Sequence, residues 1–208
     1  MFGLIGKKIG MTQIFDATGK LVPVTVIEIH PNVVVAKKTQ EKDGYSAVVF
    51  GVDEKKKNHV SKPYGGQFPE GVAPTKILRE MRDFGKDPAV GESLGVAAFE
   101  GIRFVDVQAV TKGKGFQGVV KRWGFGGGRS THGSKFHREP GSTGQSTWPH
   151  KTFKNVKLPG RMGRETCTVQ NLKVVRVDSA NGCILVRGAV PGPRNCTVVV
   201  RSAVKKTK

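Results

Sequence analysis

Leu21-Val22-Pro23-Val24-Thr25-Val26-Ile27-Glu28-Ile29 is dense in β-branched residues and partly alternates, so it reads as a strand. Pro31-Asn32 supplies a turn into Val33-Val34-Val35-Ala36-Lys37-Lys38, and Asp43-Gly44 a turn before Tyr45-Ser46-Ala47-Val48-Val49-Phe50. Strands this closely spaced imply an antiparallel sheet or barrel rather than βαβ units. Strand-like sequence returns at residues 93–99 and 103–110, and again over 166–177. Ala180-Asn181-Gly182 then predicts a hairpin into Cys183-Ile184-Leu185-Val186-Arg187, and Pro191-Gly192-Pro193 breaks the chain before Thr197-Val198-Val199-Val200. Between these runs, Asp53-Glu54-Lys55-Lys56-Lys57-Asn58 is a solvated charge run and Lys62-Pro63-Tyr64-Gly65-Gly66 is loop chemistry. Over residues 76–82 the spacing of Ile77, Leu78 and Met81 suggests a short helix with weak amphipathic support. The tail, residues 205–208, is expected to be frayed and basic.

The β-rich pattern stops at residue 110 and resumes at 165. The 54 residues between carry twelve lysines and arginines against one acid, Glu139, a net charge of +11. The remaining residues carry +8 of the total +19, so the excess is concentrated here. Twelve glycines punctuate the segment, including Gly126, Gly127 and Gly128 in a row. A stretch so charged and so poor in aliphatics cannot offset its chain entropy by burying apolar surface. A polyanion is the natural agent to order it, and the segment is expected to be mostly disordered in isolation. A pI near 10.2 points to nucleic acid. Anionic membrane is the weaker alternative, because glycines and prolines forbid a long basic amphipathic helix here.

Other classes find little support. Cys167, Cys183 and Cys196 are odd in number and lack CxxC spacing, so they read as buried or half-buried thiols rather than a disulfide framework or zinc site. No long apolar run or cleavage signal opens the chain, and no apolar stretch approaches eighteen residues. A soluble intracellular protein is expected. Gly113-Lys114-Gly115-Phe116-Gln117-Gly118 matches the dinucleotide fingerprint, but the sequence after it breaks quickly into glycines, and Glu139 sits in loop sequence beside Pro140. Glycines that let backbone amides and two lysines approach phosphate are the better reading. His132, His137 and His150 lack carboxylate or cysteine partners at ligand spacing, and the surrounding cations oppose a bound dication. Imidazoles that stack on bases or donate to phosphate suit the neighbourhood. Trp123, Phe125, Phe136, Trp148 and Phe153 interleave with the cations; they either pack locally or stack on unpaired bases. No Gly-x-Ser-x-Gly or Walker sequence occurs, and no paired carboxylates lie in a glycine-rich or histidine-rich context, so no catalytic residue, metal or cofactor is expected. A DNA-architectural protein and a nucleotide-dependent enzyme are the rival readings.

Gly3-Leu4-Ile5-Gly6-Lys7-Lys8-Ile9-Gly10-Met11-Thr12-Gln13-Ile14-Phe15 resembles the start of the bacterial large-subunit ribosomal protein L-three family. The resemblance continues through Thr111-Lys112-Gly113-Lys114-Gly115-Phe116-Gln117-Gly118, Lys121-Arg122-Trp123, Thr131-His132-Gly133-Ser134 and Pro140-Gly141-Ser142-Thr143-Gly144-Gln145. Gly160-Arg161-Met162-Gly163, Thr168-Val169-Gln170-Asn171-Leu172 and Gly188-Ala189-Val190-Pro191-Gly192 complete it in order along the chain. It implies a mainly β fold: a translation-protein-type β-barrel from residues 1–110 with 165–208, a small α+β insertion around 53–100, and a long irregular RNA-binding extension over 111–164. The implied function is structural, in the cytoplasm and on the ribosome. Such a protein binds large-subunit ribosomal RNA near its 3′ end early in assembly and helps organise RNA near the peptidyl transferase centre. Implied neighbours are similar to ribosomal proteins L-fourteen and L-nineteen, with no membrane and no small-molecule substrate. The expected RNA-binding residues are Lys112, Lys114, Lys121, Arg122, Trp123, Arg129, His132, Lys135, His137, Arg138, Gln145, Trp148, His150, Lys151, Lys154, Lys157, Arg161 and Arg164. Residues 145–150 match the extension's innermost tip. Thr147 stands where many relatives carry a methylatable glutamine, and Trp148, His150 and Pro159 also depart from the common pattern.

Overall fold

The computed structural model describes residues 2–206 of the chain, so Thr207 and Lys208 of the basic tail lie outside the described residues. The chain forms two units: one runs to Val110 and resumes at Thr166, and the other is Thr111–Glu165. In the first, before the break, lie β1 (Gly3–Phe15), β2 (Leu21–Glu28), β3 (Asn32–Lys38), α1 (Gln40–Asp43), β4 (Ala47–Glu54), α2 (Lys62–Gly65), β5 (Thr75–Arg82), β6 (Ser93–Leu94) and β7 (Phe104–Val110). The second unit holds β8 (Phe116–Gln117), α3 (Val119–Trp123) and β9 (Gly160–Arg161). After it come β10 (Thr166–Asp178), β11 (Cys183–Arg187) and β12 (Thr197–Ser202).

Six antiparallel strands close a barrel in the order β1-β12-β7-β10-β11-β2. Valine and isoleucine dominate these strands because their branched Cβ suits a pleated wall. Ile5, Ile27, Val105, Val107, Ile184, Val186, Val198 and Val200 are fully buried and fill the core. The mainly β reading of the sequence is thereby met, with a closed barrel as its form. Closure depends on β1. Its first half pairs with β12, from Gly3 opposite Arg201 to Lys7 opposite Thr197. Its second half pairs with β2, from Lys7 opposite Glu28 to Phe15 opposite Leu21, with a bulge between Lys8 and Gly10 that lets the strand bend.

Two buried polar side chains complete that closure. Asn32 accepts a hydrogen bond from the Ile5 N–H at 2.8 Å and donates to the carbonyls of Ile5 at 3.0 Å and His30 at 2.8 Å. It supplies a side-chain partner for β1 before the pairing with β2 begins. At the bulge, the buried Lys8 donates through Nζ to the carbonyls of Val190 at 2.7 Å and Gly192 at 3.0 Å. The Asn195 N–H donates to the Lys8 carbonyl at 2.7 Å, so three hydrogen bonds tie the 188–195 loop to β1.

The other sheet of this unit has the order β5-β4-β3-β6. The sequence suggested a helix over residues 76–82, and the structure corrects this: Thr75–Arg82 is strand β5, paired with β4 from Ala47–Arg82 to Glu54–Thr75. Ile77 and Met81 are four apart, a spacing that suits one face of a strand as well as a helix, and pairing with β4 settles it. Only Ser93–Leu94 of the strand expected at 93–99 forms; Val96–Phe99 is a 3-10 turn that buries Val96 and Phe99. Phe2, Phe50, Phe84 and Phe99 meet in a ring cluster with centroid separations of 5.0–5.2 Å, which joins β1 to this sheet. Cys167 is exposed, not buried as expected; Cys183 and Cys196 are half-buried, and burial raises both thiol pKa values.

In the unit Thr111–Glu165 the short strands come from near its two ends. β8 pairs with β9, Phe116 opposite Arg161 and Gln117 opposite Gly160. Backbone bonds carry this pairing outward: Lys114 N–H to Met162 O at 2.9 Å, Met162 N–H to Gly115 O at 2.9 Å, and Thr111 N–H to Glu165 O at 2.9 Å. Gly163 has φ +74°, and a methyl group there would land on the Lys112 carbonyl oxygen. α3 ends on Gly124 in the left-handed region, and Arg122 and Trp123 both donate to the Leu158 carbonyl, at 2.8 and 2.9 Å. Gly128 likewise has no room for a side chain, because a Cβ would strike the Phe136 carbonyl. The close approach there is made to its own chain, with Gly128 N–H donating to His137 O at 3.0 Å.

Asn32→Ala leaves the Ile5 amide groups without their side-chain partner, so it is expected to lower stability by about 2–3 kcal/mol. Urea denaturation checks this as a lower midpoint with an unchanged slope. Gly163→Ala is expected to open the 111–117/160–165 pairing alone. Hydrogen exchange should then show lost protection at the Lys114 and Met162 amides, with the barrel amides unaffected.

Candidate nucleic-acid interface

The residues singled out in the sequence fall into three groups along the Thr111–Glu165 unit. Nearest the chain ends, Lys112, Lys114, Arg122, Trp123 and Arg161 line one hollow of about 310 Å³ with Thr111, Met162, Gly163 and Glu165. The fixed backbone pairs described above form its walls. Lys121 and Arg164 are exposed nearby in sequence but do not line it.

The second group is Arg129, His132, Lys135, His137 and Arg138. The fold of the chain at Gly128 brings His137 back to Arg129, whose carbonyl lies 3.0 Å from His137 Nδ1. Ser134 does not pair with either histidine; its hydroxyl exchanges local bonds with the backbone of Phe136 at 3.3 Å. In the third group, Gln145, His150 and Lys151 line a hollow of about 270 Å³ with Thr143, Gly144, Ser146 and Thr152. Trp148 is not part of that lining and is 85% exposed. Lys154 and Lys157 follow on the return path, both exposed.

Eleven of the twelve cations of residues 111–164 are exposed, and Arg122 is half-buried. Ion pairs among the described residues are His30–Glu28, Lys37–Asp87 and Lys38–Glu80, none of them in this unit. With no ion pair in the unit, its like charges repel one another and rely largely on the surrounding solution for screening. Aromatic rings take up part of the load. The Arg122 guanidinium lies 4.8 Å from the Trp123 ring centroid, Lys157 Nζ lies 5.9 Å from it, and Lys151 Nζ is 6.0 Å from Phe153.

The geometry argues against the enzyme rival. In Gly113–Gly118 the Lys114 amide is committed to Met162, the helix that follows has five residues, and β8 pairs antiparallel with β9. A dinucleotide site needs free amides at the start of a long helix in a βαβ unit. Among the described residues no three of His, Cys, Asp and Glu gather in a way that could hold a metal ion, and no helix is long and apolar enough to cross a membrane. Two members of the root escaped the sequence reading. Leu158 acts through its carbonyl, which no residue type announces, and Glu165 lies one position past the charge boundary.

Residues 55–183, more than half of the chain, match the family described as Ribosomal protein L3. The chain is 60% identical over 208 residues to the Large ribosomal subunit protein uL3 of Treponema denticola and 59% identical over 208 residues to that of Treponema pallidum, covering 100% of each. It is 51% identical over 207 residues to the same-named protein of Borrelia hermsii, covering 99% of both chains. Matches of that extent, to relatives of the same length, establish that this chain belongs to the ribosomal protein L3 family.

Proposed function

We propose that this protein is a structural, non-catalytic constituent of the large ribosomal subunit in the cytoplasm, and that residues 111–164 are its main contact with ribosomal RNA. The observation that carries this is the row of exposed cations with no carboxylate partner among the described residues. Lys112, Lys114, Lys121, Arg122, Arg129, Lys135, Arg138, Lys151, Lys154, Lys157, Arg161 and Arg164 neutralise crowded phosphates and release their counterions. Trp123, His132, His137, Gln145, Trp148 and His150 supply stacking faces and hydrogen bonds to unpaired nucleotides. Family resemblance supports the finer reading: a site near the 3′ end of the large-subunit RNA, a role early in assembly and in organising RNA near the peptidyl transferase centre, and neighbours similar to L-fourteen and L-nineteen. Effects on peptide-bond formation then come from positioned RNA, because no side chain of the unit is set up for acid–base work.

Val110 and Thr166 are direct partners in the β7–β10 ladder, so a short turn can replace residues 111–165 and leave a hairpin in the barrel. Wild type and this deletion are compared for binding to large-subunit RNA across a salt series. Wild type should bind about a thousandfold more tightly at low salt and lose affinity far more steeply as salt rises. Equal affinity of the two proteins refutes the assignment. In competition, duplex DNA should displace the protein less well than the structured RNA, and preference for DNA favours the architectural rival.

A further inference from the structure

We propose that the hollow at the root of the Thr111–Glu165 unit is a preformed receptor for one unpaired ribonucleotide. The proposal rests on the RNA-binding reading of this unit and adds a specific ligand to it. Its volume of about 310 Å³ is at the lower end of clefts that enclose a small ligand. Lys112, Lys114, Arg122 and Arg161 line it against a single carboxylate, Glu165. The hollow beside Gln145 is of similar size but has one lysine and no carboxylate, so the two differ in chemistry rather than in room.

That four-to-one pattern selects the ligand. The cations suit a phosphate, whereas Glu165 would repel one and suits a hydrogen-bond donor. A ribonucleotide carries both parts, since its phosphate is an acceptor and its 2′-hydroxyl and base N–H groups are donors. Inorganic phosphate can offer a P–OH but no ribose hydroxyl or base N–H spaced from its charge, and in a duplex most base N–H groups are already paired. Trp123 and Arg122 add a stacking wall. The indole N–H and one guanidinium nitrogen are both committed to Leu158 O, which fixes the ring while leaving 42% of the tryptophan exposed. Base stacking on such a platform is tolerant of sequence.

Preorganisation distinguishes this site from the rest of the segment. The Lys114, Met162 and Thr111 amides are each held by a backbone bond of 2.9 Å. The receptor therefore loses little conformational freedom on binding, and it anchors the segment before its outer part meets RNA.

Trp123 emission reads occupancy in the full-length chain carrying Trp148→Phe, because the chain has two tryptophans. A single-stranded uridine tetranucleotide should change that emission saturably. Lys114→Gln with Arg161→Gln should weaken binding about tenfold or more, as expected for lost charge-assisted bonds. Lys56→Gln with Lys57→Gln, exposed and outside the Thr111–Glu165 unit, should change it by no more than about twofold. The deoxyuridine tetranucleotide should bind more weakly than the ribose form, and Glu165→Ala should bind the two alike. An unsaturable signal, or equal weakening by both lysine–arginine and lysine–lysine pairs, overturns the receptor. A deoxy form bound as tightly as the ribose form overturns the ribonucleotide assignment. None of these results touches the salt-dependent comparison with the 111–165 deletion, whose failure would instead remove the RNA-binding reading itself.

Discussion

A barrel wall has no edges only if its first and last strands find each other, and here one bent strand makes that closure. β1 spends its first half on β12 and its second half on β2. The transition between partners would leave backbone groups unpaired in a dry interior, a cost of about 1–3 kcal/mol for each group. Asn32 and Lys8 meet that need from opposite directions, one as an amide on Ile5 and the other as an ammonium on the 188–195 loop. With the barrel closed, β7 and β10 are neighbours, so Val110 and Thr166 face each other in register. The ends of the 55-residue Thr111–Glu165 excursion are thereby brought together by a ladder that exists for other reasons. Loop-closure entropy, which would oppose so long a loop on its own, is already met by the barrel.

The excursion is stabilised by a different set of interactions. Its fixed portion relies on backbone pairs, on one carbonyl that accepts from both Arg122 and Trp123, and on cations placed over rings. Val119 is its one buried hydrophobic residue among those described. Such interactions order a short stem because few residues are fixed for each bond made. They cannot collapse a long segment whose charges are almost all of one sign. On the proposed RNA-binding reading, order beyond the stem comes from a partner with the opposite charge.

The legible part of the fold was its β-branched runs. β2, β3, β7, β10, β11 and β12 all stand where such residues cluster, and Ala180-Asn181-Gly182 forms the turn its residues suggest. β1 is hard to read because Gly3, Gly6 and Gly10 and the pair Lys7-Lys8 interrupt the pattern that marks a strand. Its strand character is imposed by two neighbours distant in sequence. β5 was misread because an i, i+4 pair satisfies both periods. For the candidate site, the cations could be found by counting, since an unpaired surface charge needs no local partner to be recognised. The Leu158 carbonyl and the Asn32 amide could not, because their roles exist only after distant backbone arrives.

Residue type alone also failed to separate the two tryptophans, and the structure divides them clearly. Trp123 has its N–H bonded and two cations beside its ring, so part of its binding capacity is spent within its own chain. Trp148 is 85% exposed and lacks that support. A tryptophan side chain buries on the order of 150–250 Å², and at about 25 cal/mol per Å² its exposure forgoes several kcal/mol. A ring left so open is best matched to a surface the protein does not contain. On the proposed RNA-binding reading, Trp123 belongs to the stem that positions RNA, and Trp148 to the part of the segment whose core RNA would supply.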